Sequence, residues 1–334
     1  ARAHRGARAD RMKRLCLWAL LCFGGAPALA AEAAGPAVPN APSSPPAAPA
    51  PSQTPDLAYG AYQRGYYITA YQEAMQRLKA NPNDAVAMTL IGELYRQGYG
   101  VKLDYAEADR WYAKAAALGN REAIFALALA KLTGQGVPKD RLGAAALFKK
   151  AAAMNHAGAI YNLGVLAVEN NGVFPDFAKA ASLFTQSAKL GYPDAAYALA
   201  LCYRNGKGVV QDDKLAAQWM ARAAAEDDVP AEVEYAIMLF NGIGVDKDEA
   251  AAAKLFLKAA TEQNPVAQDR VARLYASGRG IGKDLVEAMK WHLIARSAGE
   301  KDAWLDGIMD TLTPAQKVAV ETAIREYSGA IIGH

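Results

Sequence analysis

A 36-residue spacing runs through most of this chain and leaves few folds open to it. Alanines recur at Ala87, Ala123, Ala159, Ala195, Ala231 and Ala267, and again at Ala108, Ala144, Ala180, Ala216, Ala252 and Ala288. Aspartates keep the interval at Asp104, Asp140, Asp176, Asp212, Asp248 and Asp284. Glycines keep it at Gly100, Gly136, Gly172, Gly208, Gly244 and Gly280, each followed by Val or, once, Ile281. Four series in one phase mark six tandem units between Asp84 and Gly299.

Within the unit 84–119, Ala87, Ile91, Leu94 and Tyr95 follow helical spacing, as do Ala108, Trp111, Tyr112, Ala115 and Ala116. Each unit is therefore predicted to be a pair of amphipathic helices. Gly98 and Gly100 permit positive φ and end the first helix, while Asp104 accepts orphan N–H groups and starts the second. Asp104 with Glu107, and Asp284 with Glu287, have the spacing of a capping box. Trp111, Trp219 and Trp291, with Leu147, Leu183 and Leu255 in the other units, are expected to fill the space between hairpins. One hairpin cannot hide its own apolar face, so stacking on a neighbour is obligatory.

Read together, Ala87, Ile91, Gly92, Tyr95, Gly98, Gly100, Val101, Asp104, Ala108, Trp111, Tyr112, Lys114, Ala115, Ala116 and Gly119 resemble the Sel1-like repeat motif. The resemblance covers about two-thirds of the chain. It implies an all-α fold, a right-handed α/α superhelix related to tetratricopeptide arrays, and a place among adaptors or exported signalling and envelope factors. The third unit departs from the pattern with Asn170-Asn171-Gly172 in place of Gly-x-Gly, and Asn tolerates a left-handed turn next best. Some exported members of the family carry a cysteine pair in each hairpin and are associated with β-lactam binding or hydrolysis. This chain lacks those cysteines.

The flanks read differently. Residues 1–30 resemble an export signal: Met12-Lys13-Arg14 is a positive start, Leu15 to Phe23 an apolar run, and Ala28-Leu29-Ala30 a cleavage pattern predicting cutting after Ala30 and a periplasmic or secreted protein. Gly24-Gly25 and Pro27 interrupt the run before it reaches the roughly 20 residues of a membrane span. Met12 is a candidate for the true start. Residues 31–55, rich in Ala and Pro, read as an extended linker. Residues 56–83 read as a shortened capping hairpin rich in tyrosine, and 300–334 as a capping helix and tail with a helix start at Thr313-Pro314-Ala315-Gln316.

Charge and cysteine narrow the function. The net charge of +3 comes from the N-terminus; residues 31–334 carry 31 basic against 33 acidic side chains, which does not supply the positive field that non-specific nucleic-acid binding needs. Once the signal has removed Cys16 and Cys22, Cys202 is alone and reads as a buried small hydrophobe. The Gly278–Lys283 loop looks phosphate-cradling but joins two helices, and its counterparts recur in the other units. Asp246, Asp248 and Glu249 lack the calcium-loop pattern. His156, His292 and His334 are too scattered for a metal site, and His292 replaces the aromatic found at Tyr112 and Phe148.

No catalytic, cofactor or metal residues are therefore assigned. The remaining resource is surface. First helices of stacked hairpins line the concave face, where one ladder holds Thr89, Phe125, Tyr161, Tyr197, Val233 and Asp269 and another Arg96, Leu132, Val168, Arg204, Phe240 and Ala276. Phe125, Tyr161, Tyr197, Arg96, Arg204 and Phe240 are the partner-binding candidates, since aromatics with arginine suit binding hot spots; the alternative is that the aromatics pack between first helices. The expected function is a non-enzymatic periplasmic scaffold for a protein partner, an envelope enzyme or a signalling receptor. The alternatives are a cell-wall or glycan binder, motivated by the tyrosines at 59–71, and a hydrolase with a composite groove site.

Overall fold

The structure, a computed structural model, describes residues 56–169 and 174–332. The expected signal (1–30) and linker (31–55), the turn expected at Asn170-Asn171-Gly172, and His334 lie outside the described residues. The described residues contain sixteen α-helices and no strand, and they fall into two compact units, 56–163 and 164–332. In the first, α1 (Leu57–Gln63) and α2 (Tyr67–Ala80) form a short hairpin, α3 (Ala85–Gln97) and α4 (Tyr105–Ala117) the first repeat, and α5 (Arg121–Thr133) and α6 (Arg141–Ala152) the second. The division falls inside α7 (Ala157–Glu169). The second unit continues with α8 (Phe177–Lys189), α9 (Pro193–Asn205), α10 (Asp213–Ala224), α11 (Val229–Asn241), α12 (Glu249–Thr261), α13 (Pro265–Ser277) and α14 (Leu285–Ser297), then α15 (Ala303–Asp310) and α16 (Pro314–Ile332).

The repeating aspartates cap α4, α6, α8, α10, α12 and α14. Asp104, for example, accepts from the Glu107 N–H at 2.9 Å and Asp140 from the Gly143 N–H at 2.8 Å. The capping-box reading needs a correction. Asp104 and Asp284 give their own N–H to the Tyr95 and Tyr275 carbonyls at 3.1 and 3.0 Å, so Glu107 and Glu287 have no cap amide to reach back to. Their carboxylates instead accept from Arg110 and Lys290. Asp140, Asp176, Asp212 and Asp248 donate in the same way to Lys131, Ala167, Tyr203 and Leu239. One residue type thus starts the second helix and pins it to the last turn of the first.

The two loop glycines have separate tasks. Gly98 ends α3 in the left-handed conformation, with φ +67°. Gly100 also has positive φ, and a Cβ there would come within 2.8 Å of the Tyr67–Ile68 peptide at the start of α2. Gly136 approaches the first turn of α4 in the same manner, and Gly208, Gly244 and Gly280 approach those of α8, α10 and α12. In the five described loops the second glycine is therefore a stacking residue, seating the loop on the preceding hairpin.

Between the helices of a pair, small residues face large ones. Gly92 and Gly164 admit the rings of Tyr112 and Phe184 so closely that a Cβ would meet them at 2.7 and 2.5 Å. The repeating alanines at 87 and 108, with their counterparts 36 residues apart, are 0–1% exposed. Phe148 and Phe184 are fully buried, and truncating either to Ala would cost about 3–5 kcal/mol.

At the start of the first unit the tyrosines form a packed chain. The Tyr67 ring stacks on Tyr99 with centroids 4.4 Å apart, Tyr62 lies edge-on to Tyr67, and Tyr71 meets Tyr95 at 6.1 Å. Tyr62, Tyr67 and Tyr71 therefore join α1 and α2 to the first repeat, while Tyr59 and Tyr66 remain exposed. At the other end α16 covers Trp291, whose ring meets Tyr327 at 5.1 Å. A reciprocal box starts this helix: Gln316 donates its N–H to Thr313 Oγ1 at 3.3 Å and accepts the Thr313 N–H at 3.0 Å. The short α15, capped by Asp302, was not expected from the sequence: it follows the sixth repeat and runs for only eight residues.

Candidate functional site

In the first unit, α1, α3 and α5 flank a cleft of about 400 Å³ whose floor is α4. Val86, Leu90, Phe125 and Leu129 give it apolar walls. The alanine-poor face of α3 presents Glu93 and Arg96 one turn apart, and they pair twice, Nε to Oε2 and Nη2 to Oε1, both at 3.0 Å. Gln97 and the Tyr112 hydroxyl also donate to Glu93, at 2.7 and 2.8 Å. Burial alone would raise the Glu93 pKa, but the Arg96 hydrogen bonds and charge carry it below the ordinary value. Burial likewise works against the Arg96 cation, and Glu93 more than compensates, holding its pKa above the ordinary value. The Tyr112 phenol is pushed up by burial and by the Glu93 charge, and Tyr62 to about 12 for the same two reasons.

Asp109 of α4 lines the same cleft. Its side chain is buried, its Oδ2 has no hydrogen-bond partner, and burial raises its pKa to about 6 against the opposing charge of Arg96. Beside it, Phe125 stacks on the His156 imidazole with centroids 4.2 Å apart. His156 Nδ1 accepts from the Ala159 N–H at 3.1 Å, capping α7 where four of the other repeats use Asp84, Asn120, Asp228 or Asn264 and the fifth has Tyr192. Its Nε2 is therefore left to donate to Glu122, 2.9 Å away.

A second cleft, of about 440 Å³, lies in the second unit. Ile237, Phe240 and Trp304 give it apolar surface, and Arg270, Arg273 and Arg279 give it charge. The Arg279 guanidinium covers the Phe240 ring at 4.2 Å and is held by Glu249, while Arg273 is paired with Asp302. The Arg279 and Lys247 hydrogen bonds lower the Glu249 pKa to about 2.

Of the residues singled out from the sequence, the structure brings Phe125 and Arg96 together in the first cleft and places Phe240 in the second. Tyr161 and Tyr197 are buried, each 8% exposed, and line neither cleft. Arg204 pairs with Glu234 at 2.7 Å and also lies outside both. Glu93, Asp109 and Tyr112 were missed as site residues. The available signal was register: Asp109 falls where the later repeats carry Ala145, Ala181, Ala217, Ala253 and Met289, and Glu93 where they carry Leu129, Val165, Leu201, Ile237 and Arg273. Cys202 is fully buried, and burial pushes its thiol up to about 12. Among the described residues no group of three or more His, Cys, Asp or Glu is placed to hold a metal ion.

The family model for the Sel1 repeat matches six consecutive stretches: 85–120, 121–156, 157–192, 193–228, 229–264 and 265–300. The crystal structure of a Sel1 repeat protein from Oxalobacter formigenes is similar, with a TM-score of 0.64 and 32% identity over 72% of this chain and 98% of that one. Similarity also extends to c5321, a protective antigen of uropathogenic Escherichia coli strains displaying an SLR fold, at 24% identity and a TM-score of 0.47 over 81% of this chain and 67% of that one. The immunity protein Pa5087 from Pseudomonas aeruginosa gives 18% identity and a TM-score of 0.42, over 64% of this chain and 81% of that one. Comparison with curated proteins gives no match.

Proposed function

This chain belongs to the Sel1 repeat family, whose members are generally non-catalytic protein-interaction scaffolds, and from that premise we propose that it is an exported adaptor without enzymatic activity. It seats a segment of a partner polypeptide in the cleft between α1, α3 and α5. The observation that carries this reading is the cleft itself: an open apolar trough of about 400 Å³ on the first-helix face, with Phe125 and the Glu93–Arg96 pair at hand to anchor and orient a chain. A half-exposed aromatic beside a fixed guanidinium is the composition of an interface hot spot. Export rests on the signal-like Met12 to Ala30 segment. No helix among the described residues is long and apolar enough to cross a membrane.

The test is site-directed capture. Val86 is 52% exposed and Leu129 half-buried, so glutamates at both positions block the cleft without opening the core. Capture of a partner from native envelope extract should fall at least about tenfold in the double variant, with helicity unchanged. Equal capture would remove this cleft from the function. Export is tested separately, by sequencing the N-terminus of periplasmic protein, which should begin at Ala31. Retention of residues 1–30 inside the cell would overturn it.

A further inference from the structure

The charges of the first cleft do not balance. Its lining carries four carboxylates, Asp56, Glu93, Asp109 and Glu122, and the one guanidinium of Arg96. Three of the four are partnered: Asp56 with Arg77 at 2.7 Å, Glu93 with Arg96 at 3.0 Å, and Glu122 with Arg121 at 3.2 Å and His156 at 2.9 Å. Asp109 is the exception. It is 8% exposed, its Oδ2 is closed off beneath Gly136 without a hydrogen bond, and the one cation acting on it, Arg96, already gives two hydrogen bonds to Glu93.

A buried carboxylate in this condition is costly to the free protein, and the array shows that the fold does not require it. Ala or Met serves at the same register in all five later repeats, and Ala181, Ala217, Ala253 and Met289 are buried there. Glu93 likewise stands alone among apolar residues in repeats two to five. A carboxylate at the Asp109 register is thus a property of the first repeat only, and it coincides with the cleft. Packing alone does not call for it.

We infer that the cleft is completed by a basic side chain of the bound polypeptide, a lysine ammonium or arginine guanidinium that enters along Leu90, Phe125 and Leu129 and ends against the Asp109 carboxylate. The inference rests on the polypeptide-binding reading and names the chemistry of the occupant. Charge complementarity favours a basic segment over an acidic one, because the fourth lining carboxylate, Asp109, has no partner of its own and the lining's one guanidinium, Arg96, is already engaged by Glu93. Apolar walls suit the methylene stem of such a side chain, which packs along them while its head reaches the carboxylate.

The experiment uses the full chain and three acetylated, amidated peptides of one frame, Gln-Leu-Ala-X-Leu-Ala-Gln, with lysine, norleucine or glutamate at X, in fluorescence anisotropy titrations. The lysine peptide should bind about 10–100-fold more tightly than the norleucine peptide, as a charge-assisted hydrogen bond to a buried carboxylate allows. In Asp109→Asn that preference should vanish while norleucine binding is retained. Equal binding of the lysine and norleucine peptides, a preference that survives in Asp109→Asn, or preferential binding of the glutamate peptide overturns the inference and leaves polypeptide binding standing. Absence of binding by every peptide at millimolar concentration overturns both. The wild-type comparison decides the matter even where the variant folds poorly.

Discussion

Gly136 lies so close to Tyr105 that a Cβ on the glycine would sit 2.7 Å from the Tyr105 carbonyl oxygen. Gly119, with a similar φ of +81°, has open space around it. The pair separates backbone strain from stacking. Gly119→Ala should cost about 1–2 kcal/mol through its left-handed φ alone, and Gly136→Ala about 1–3 kcal/mol more because the loop must lift off α4. Urea unfolding of both variants measures the difference; equal losses would mean that the loop does not hold the hairpins together.

The aspartate series makes a second claim open to measurement. Asp212 accepts from the Leu215 N–H at 2.9 Å, and its own N–H is donated to Tyr203 whatever the side chain. Asp212→Ala should therefore lose only the cap, about 1 kcal/mol, and Asp212→Asn only a few tenths. Thermal melts resolve these values. A loss several times larger would show that the side chain has a further partner.

Much of the fold is legible in the sequence because its signals are local. The Gly98 turn and the Asp104 cap lie within one unit and repeat in phase, so periodicity and capping chemistry place them. The second glycine reads from sequence only as a turn former, because its partner is the preceding hairpin, some 30 residues away. The candidate site is less legible. Burial divides the aromatic ladder: Phe125 finds the cleft and His156, whereas Tyr161 and Tyr197 are buried, which single-position patterning does not distinguish. Asp109 does leave a trace in its register, since one carboxylate in a series of alanines and a methionine is itself a signal, but a motif built on agreements passes over it.

Asp109 also predicts a pH dependence of folding. Its folded pKa of about 6 stands above the ordinary 3.8, so its contribution to stability is fully present below about 3.8 and lost as pH rises through about 6. Near neutral pH the ionised, buried carboxylate weakens the first repeat. Asp109→Asn should stabilise the protein by roughly 1–3 kcal/mol near pH 7 and hardly at all near pH 4. Denaturant titrations at the two pH values check this. A variant equally destabilised at both would show that the carboxyl has a packing role instead.

Cys202, fully buried with its thiol pushed up to about 12, should resist maleimide in the native protein and react only as the chain unfolds. Peptide mapping of the labelled cysteine against time reports the opening rate of α9. Prompt labelling under native conditions would contradict the packing described for the second unit.

The contact between each described second glycine and the helix of the previous hairpin bears on how such a chain can change length. Every described loop rests on structure encoded one period earlier, so a cut at any phase can be tolerated only if the excised or inserted stretch is a whole multiple of 36 residues. Gene rearrangement in such an array has a fixed denomination, and growth by copying intact units keeps every seam while a shift of even one residue spoils the joint on both sides.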